Sequence, residues 1–525
     1  MRGVQAACPA CAGPVEFKIS SALVTVCPYC RSVVARGDRK LEDHGKVAAI
    51  VDTASPLHLG LRGKFRGKRF DLVGRVQFQH SAGGVWDEWY AAFPGGKWGW
   101  LAESQGQFHL SFERKVSAET ELPSLDELEV GRSFEFPKVG RLTIAEIGQT
   151  QALGAEGELP FQLEPHAKHS YADLSGSDGA FATFDYSTSP PTIYTGKQVT
   201  LDDLGLADVV HEREARQISA KHVNCPNCGG VLDLIAPDKA ERVCCPHCSS
   251  LLDVDGGKLE YLKTLEQGQI HPVIPIGAVG VLDDVEYTVI GFVRRSVTFD
   301  MKYYWTEYLL YQPKVGFRWL IHSDQHWSFA EPLSLGDIRD RGTTVGHDER
   351  TFKLFQSAAA QVEYVLGEFY WKVEVGEEAY SRDFICPPQM ITLERTKNYT
   401  EDEQGFLHET EGGELNATIA TYLPHETVEE AFDVENLSRG WTPAPNQPNP
   451  VDSGVFAWWG VFGLVLLALF VIFRMGLVKK PVDGGIFFWA LVFVSVIPIG
   501  ALIYRYIFES SRWKDSEFNP YASSE

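Results

Sequence analysis

The 525-residue chain reads as a mainly β protein built twice. The expected fold has two cysteine-closed ribbons, two antiparallel β-rich domains (meander or barrel-like) in tandem repeat, and a C-terminal two-helix transmembrane hairpin. Three observations predict it. Eight of the ten cysteines fall into Cys-x-x-Cys pairs. The first pair and the segment that follows recur about 217 residues further on. Two uncharged apolar runs stand near the C-terminus.

The cysteines come first. Cys8-Pro9-Ala10-Cys11 is followed fifteen residues later by Cys27-Pro28-Tyr29-Cys30. Cys225-Pro226-Asn227-Cys228 is followed sixteen residues later by Cys245-Pro246-His247-Cys248. Each Cys-x-x-Cys turn offers two thiolates from one knuckle, and two facing knuckles close a tetrahedral zinc shell. The expected cofactor is therefore two structural Zn2+ ions. With all four ligands thiolates, no position is left for a reactive water. Cys244 competes with Cys245, but the Cys-Pro-x-Cys phase of the other knuckles selects Cys245. Cys244 and Cys386 are expected to be buried free thiols. Residues 1–14 carry no apolar signal-peptide segment, and paired cysteines without one favour metal binding in a reducing cytosol over disulfides.

The repeat extends beyond the ribbons. Cys8 and Cys225, like Gly74 and Gly291, are 217 residues apart. Trp86, Glu88 and Trp100 match Trp305, Glu307 and Trp319 at 219. Further on, Gly157-Glu158 pairs with Gly367-Glu368 at 210, and Pro190-Pro191 with Pro387-Pro388 at 197. A sustained offset points to duplication. Alternating and β-branched runs at 70–78 and 286–293 read as first strands, 86–93 and 305–311 as second strands, and 98–101 and 317–321 as third strands. The recurrent Trp86-Asp87-Glu88-Trp89 and Trp305-Thr306-Glu307-Tyr308 read as packed strands with one outward carboxylate. A helical run at 211–222 joins the halves.

The expected units are ribbon 1 (1–40), β-rich domain 1 (50–205), a linker helix (206–222), ribbon 2 (223–257), β-rich domain 2 (268–435), a Pro-rich linker (436–454), transmembrane helices at 455–473 and 486–504, and a polar tail (505–525). Each apolar run has nineteen residues, enough for roughly 30 Å of hydrocarbon. Trp458, Trp459, Trp489 and Tyr504 stand near their ends, as interfacial anchors do. Flanking charge does not orient the hairpin. The thiolate sites do, by placing the large region and the C-terminal tail in the cytoplasm.

No catalytic or cofactor-binding residue is assigned. His166, His169 and Asp173 cluster in the first half, but the segment around Tyr380 and Asp383 has no matching histidines. No nucleophile elbow, phosphate loop or zinc-protease motif is present. With 70 acidic against 48 basic residues the net charge is −22, which opposes nucleic-acid binding unless a basic patch is segregated. The one basic stretch, 62–69 with Arg31, Arg36, Arg39 and Lys40 nearby, reads as a solvated strand edge.

The second half resembles bacterial proteins carrying domain-of-unknown-function family 4178. The residues that carry the resemblance are Gly367-Glu368-Phe369-Tyr370-Trp371, Asp383-Phe384 with Pro387-Pro388, Leu393-Glu394, Tyr422-Leu423-Pro424, and 428–432. It covers about 55–200 and 270–435, with the Leu-Glu and terminal Ala-Phe elements missing from the first copy. The resemblance implies no chemistry. It implies a setting in membrane stress or membrane remodelling. The expected function is a membrane-anchored cytoplasmic scaffold or sensor that binds a protein partner at the inner membrane. The alternatives are a membrane-associated enzyme of unknown reaction and a nucleic-acid-binding ribbon protein.

Overall fold

The computed structural model describes residues 4–439, apart from 18–21, 37–40, 47–49, 51–54, 81–84, 105–106, 116–121, 137–138, 162, 164–166, 208–220, 237–239, 256–257, 266–269, 300, 314, 397–398, 402–406 and 410–412, together with 453–474 and 484–512. Ribbon 1 holds β1 (Val4–Ala7), β2 (Pro14–Phe17), β3 (Val24–Val26), β4 (Ser32–Arg36) and β5 (Leu41–Lys46). Repeat 1 holds β6 (Arg62–Phe65), β7 (Lys68–His80), β8 (Val85–Phe93), β9 (Lys97–Ser104), β10 (Gln107–Glu113), β11 (Ser133–Phe136), β12 (Gly140–Leu159), β13 (Lys168–Gly176), β14 (Ala180–Asp185) and β15 (Thr192–Val199). Ribbon 2 holds β16 (Lys221–Asn224), β17 (Val231–Leu234), β18 (Arg242–Cys244), β19 (Ser250–Asp255) and β20 (Lys258–Thr264). Repeat 2 holds β21 (Val279–Leu282), β22 (Val285–Thr298), β23 (Lys302–Gln312), β24 (Gly316–Ser323), β25 (His326–Leu333), β26 (Arg339–Asp340), β27 (Thr344–His347), β28 (Arg350–Phe369), β29 (Glu378–Cys386), β30 (Gln389–Thr396), β31 (Tyr399–Glu401), β32 (Leu407–Glu409) and β33 (Gly413–Leu423), closed by helix α1 (His425–Phe432).

In each repeat the first five strands form an antiparallel meander. A twenty-residue strand, β12 or β28, is the spine. Its first half pairs with β13 or β29 and its second half with β7 or β22. Three bulges recur at equivalent places. They fall at Val73 and Ile290, at Ala145 and Phe355, and at Leu153 and Glu363. Bulges re-aim a strand and are built in, not accidental. Here they fix the equivalence of the repeats more firmly than residue identity does.

Where β7 crosses β12, Gly74 lies opposite Gly157; where β22 crosses β28, Gly291 lies opposite Gly367. Gly157 and Gly367 have φ of +75° and +89°, and a Cβ on either would sit 2.2 Å from the carbonyl oxygen of Val73 or Ile290. Only glycine allows both the conformation and the approach. The 210-residue offset read at this pair is therefore structural. The 197-residue match of the prolines is not. Pro190-Pro191 lies between β14 and β15, whereas Pro387-Pro388 lies between β29 and β30, the counterparts of β13 and β14.

The cores follow the strand alternation. In repeat 1, Phe70, Leu72, Trp89, Leu101 and Leu110 pack with Leu204 and Leu206. In repeat 2, Tyr287, Phe292, Tyr308 and Trp327 pack with Val428 and Phe432 of α1. The terminal Ala-Phe helix of repeat 2 is thus replaced in repeat 1 by a tight turn that buries two leucines instead.

Among the described residues, several contacts join the repeats. β12 pairs with β33 at Glu146–Glu414 and Ile147–Gly413. Beside it, the Ser334 hydroxyl donates to the Gly176 carbonyl (3.2 Å) and the Asp178 N–H donates to the Asp337 carboxylate (2.9 Å).

Four boundaries differ from the sequence reading. β5 pairs with β4 and β20 with β19, so each ribbon sheet runs past 40 or 257. Most of the expected linker helix lies outside the described residues, and its end is a strand, because Lys221 and His222 open β16 against β17. The last helix runs on to Arg512, into the expected polar tail.

Two C-terminal helices form a separate unit, α2 (Ser453–Arg474) and α3 (Gly484–Arg512). The Trp459 indole donates to the Ser495 hydroxyl at 3.4 Å, tying them together. In α3, Gly484–Tyr504 is long and apolar enough to cross a membrane, with a mean hydropathy of 2.6. In α2 the apolar stretch is shorter, Ala457–Ile472.

Candidate metal centres and a carboxylate recess

All eight predicted cysteines come together as two groups of four. In each group the sulfurs lie within 4.8 Å of one another, and no disulfide forms. Cys8 to Cys30 and Cys11 to Cys27 are both 3.7 Å, Cys225 to Cys248 is 3.8 Å and Cys228 to Cys245 is 3.9 Å. A tetrahedron of metal–sulfur bonds of about 2.3 Å has edges of roughly 3.8 Å. The spacing fits one tetrahedral thiolate-bound ion per group.

Four matching knuckles build these groups. The N–H after the second cysteine donates to the carbonyl of the first: Ala12 to Cys8, Arg31 to Cys27, Gly229 to Cys225 and Ser249 to Cys245, at 2.8–2.9 Å. Those four residues all have positive φ, from 55° to 73°. Gly13 and Gly230 follow the second cysteine by two places because Tyr29 and His247 lie on them; a Cβ would meet either ring within 2.6 Å. His247 is thereby not a ligand, and its ring contacts the Val231 carbonyl at 3.0 Å. The Ser32 hydroxyl and N–H pull the Cys30 thiol down to about 6. Burial pushes up on Cys248, but hydrogen bonds from Ser250 bring it to about 6 as well. Cys244 is buried in β18, outside the shell, whereas Cys386 is half-buried, more open than expected.

The ribbons are extensions of the repeats. β3 adds to the end of β12, with Thr25 opposite Glu158, and β18 adds to the end of β28, with Val243 opposite Glu368. Val24, Val26 and Val33 of ribbon 1 share a core with Val76, Tyr90 and Leu159. Ala236, Cys244 and Leu251 of ribbon 2 share one with Val293, Val365 and Phe369. The buried Glu368 carboxylate also accepts the N–H groups of Ile235 (2.7 Å) and Ala236 (3.0 Å).

A second polar site lies inside each repeat, on β8, β13 and β14 or on β23, β29 and β30. The Trp86 indole donates to Glu88 (3.2 Å) and the Trp305 indole to Glu307 (2.7 Å). The Thr183 hydroxyl donates to Asp173 and the Thr392 hydroxyl to Asp383, both at 2.7 Å. The registers make Asp173 and Asp383 equivalent, and the matching threonine bonds make Asp185, two residues after Thr183, the counterpart of Glu394, two residues after Thr392. The Leu393-Glu394 element is therefore present in repeat 1 as Phe184-Asp185.

The recurrent glutamates do not point outward into water. Burial raises Glu88 to about 7, opposed by Trp86 and reinforced by Asp185. Burial also raises Glu307, opposed by Arg295. Burial and the neighbouring Glu146 hold Asp173 well above the carboxylate range. Yet Glu88, Glu146, Asp173 and Asp185 all keep some solvent-accessible surface, so they line a recess and not a closed core.

Of the clustered histidines, His166 lies outside the described residues and His169 sits opposite Thr150 on β13. Sequence reasoning missed Glu146, Asp185, Arg295 and Glu414. Extending the 210-residue offset from Gly157 to Asp173 and Asp383 would have found part of the set. The basic stretch at 62–69 forms the β6–β7 hairpin, where Arg62 pairs with Asp71 at 3.0 Å, both solvated.

Two ribbon-extended β-domains in one chain define a duplicated architecture, each copy opening with a four-cysteine cluster. The family model described as Domain of unknown function (DUF4178) matches residues 58–201 and 275–410, one match per repeat. The matches span over half the chain, and the chain belongs to this family. No curated protein and no solved structure matches it.

Proposed function

We propose that this is a bacterial membrane-anchored scaffold or sensor, with both zinc-stapled repeats in the cytoplasm, that binds a protein partner at the inner membrane. The continuity of each cysteine ribbon with the spine of its β-domain carries the reading. A closed four-thiolate shell favours zinc over harder cations, leaves no open coordination position, and acts by holding strands. The ions are then staples for two presented β-surfaces, not reaction centres. The apolar span in α3, paired with α2 as a hairpin, supplies the anchor. Thiolate ligation favours the reducing side of that membrane.

Two measurements test this. Alkaline carbonate extraction should leave the full chain with membranes and release a chain ending at residue 440. Protease added to the outer face of intact cells should leave the β-domains uncut. Release of the full chain, or cleavage of its β-domains from outside, would overturn the reading.

A further inference from the structure

The two recesses differ at two positions that change their charge. In repeat 2 the guanidinium of Arg295 sits between carboxylates, 3.1 Å from Glu307 and 3.4 Å from Glu394. Arg295 pairs with Trp305 on β23 and Val362 on β28. In repeat 1 the residue in that register is Phe78, opposite Trp86 and Ala152. The carboxylates Glu88 and Asp185 remain there, but the arginine does not. A second difference deepens the contrast. Gln356, which donates to Asp383 at 2.6 Å, is replaced in repeat 1 by Glu146. Repeat 2 thus offsets Glu307, Asp383 and Glu394 with a fixed cation, on which Glu377 acts as well. Repeat 1 gathers Glu88, Glu146, Asp173 and Asp185, and among the described residues the basic side chain in contact is His80, 3.3 Å from Glu146, whose burial favours the neutral ring. The Tyr171 hydroxyl donates to Glu146 at 2.6 Å.

The walls of the repeat 1 recess suit a cation as well. Phe78 stacks on Trp86 at 5.6 Å, and Trp86 meets Tyr171 at 6.1 Å. Aromatic faces beside carboxylates attract planar organic cations through their quadrupoles. In repeat 2 the corresponding trio is Arg295, Trp305 and Ser381, so Phe78 and Tyr171 have no aromatic counterparts at their register positions.

We infer that the repeat 1 recess binds a guanidinium group supplied from outside the chain, held between Glu88, Asp173 and Asp185 against Trp86, where Arg295 serves in repeat 2. The internal copy shows two of these carboxylate positions, those of Glu88 and Asp185, gripping that group as Glu307 and Glu394. The inference stands on the duplicated β-domain and is independent of the membrane and partner reading. The guanidinium could belong to a free small molecule or to an arginine side chain of a peptide.

Titration calorimetry on the purified full chain at mildly alkaline pH separates these sources, using ethylguanidinium chloride and the tripeptide Gly-Arg-Gly as probes. One-to-one binding of at least one probe is expected. It should weaken about tenfold or more in Glu88→Gln and be abolished in Phe78→Arg, which supplies the missing cation in cis. Phe78→Arg should also melt at a higher temperature than the wild type. Binding of ethylguanidinium assigns a small-molecule site, and binding of the peptide alone assigns an arginine side chain. The inference is overturned if neither probe binds, if Mg2+ alone binds, or if Glu88→Gln binds as well as the wild type. The Glu88→Gln arm holds even if Phe78→Arg fails to fold.

Discussion

Glu146 and Glu414 lie directly opposite one another in the short ladder that joins the two repeats. Like charges at such a pair are destabilising, and burial penalises each charge further. Burial, then the Glu146 charge, raises Glu414 to about 7; burial also raises Glu146, opposed by Tyr171. His80, Tyr171 and Asp173 face Glu146, and Glu394 and Asn416 act on Glu414.

The seam should therefore weaken as pH rises. Both carboxyls are protonated in folded and unfolded chains at low pH. Between the unfolded value near 4.5 and about 7, Glu414 loses its proton in the unfolded chain while the folded chain keeps it, and the raised Glu146 acts in the same direction. Stability falls across that window and levels off above it. Melting followed by circular dichroism should show this decline in the wild type and a flatter profile in Glu414→Gln, which should be the more stable near pH 8. A steeper decline in Glu414→Gln would contradict the assignment.

Arg75 and Asp87 form a buried bidentate pair in repeat 1, at 2.9 and 2.7 Å, with the guanidinium over the Trp89 ring. Asp87→Ala leaves a buried guanidinium with its main partner gone and should cost about 3–5 kcal/mol in denaturant unfolding. Replacing both partners by apolar residues should recover much of that loss. A loss under about 1 kcal/mol for Asp87→Ala would mean the pair is solvated.

Glu368 holds ribbon 2 to repeat 2 through two backbone N–H groups. Glu368→Ala leaves those donors without the carboxylate and should cost about 1.5–3 kcal/mol. The loss should be local. Amide hydrogen exchange should quicken at residues 235–236 and 242–244, with repeat 1 unchanged. Uniform quickening across the chain would show that Glu368 supports the whole fold instead.

The sequence carried the local structure well and the long-range structure poorly. Knuckle spacing alone identified all eight sulfurs, because a metal shell demands a fixed local turn. Trp86 and Trp305 marked equivalent strands, because bulky residues at a fixed offset survive short insertions. The later offsets misled. The drift from 217 to 210 arises in loops, and the paired prolines sit in different turns. The carboxylate recess was half legible. Glu88 and Glu307 stood out, but their burial depends on β13 and β14, or β29 and β30, folding over them. Alternation on one strand cannot report that. The joining of β12 to β33 left no local signal at all.

Metal content per chain, with the knuckles broken one set at a time, tests the central claim most directly. Mass spectrometry of the intact full-length protein under native conditions should find two zinc ions. Cys8→Ser with Cys11→Ser should leave one, and the matching change at Cys225 and Cys228 should leave the other. A folded wild-type chain carrying fewer than one metal ion, or disulfides among these cysteines, would contradict it.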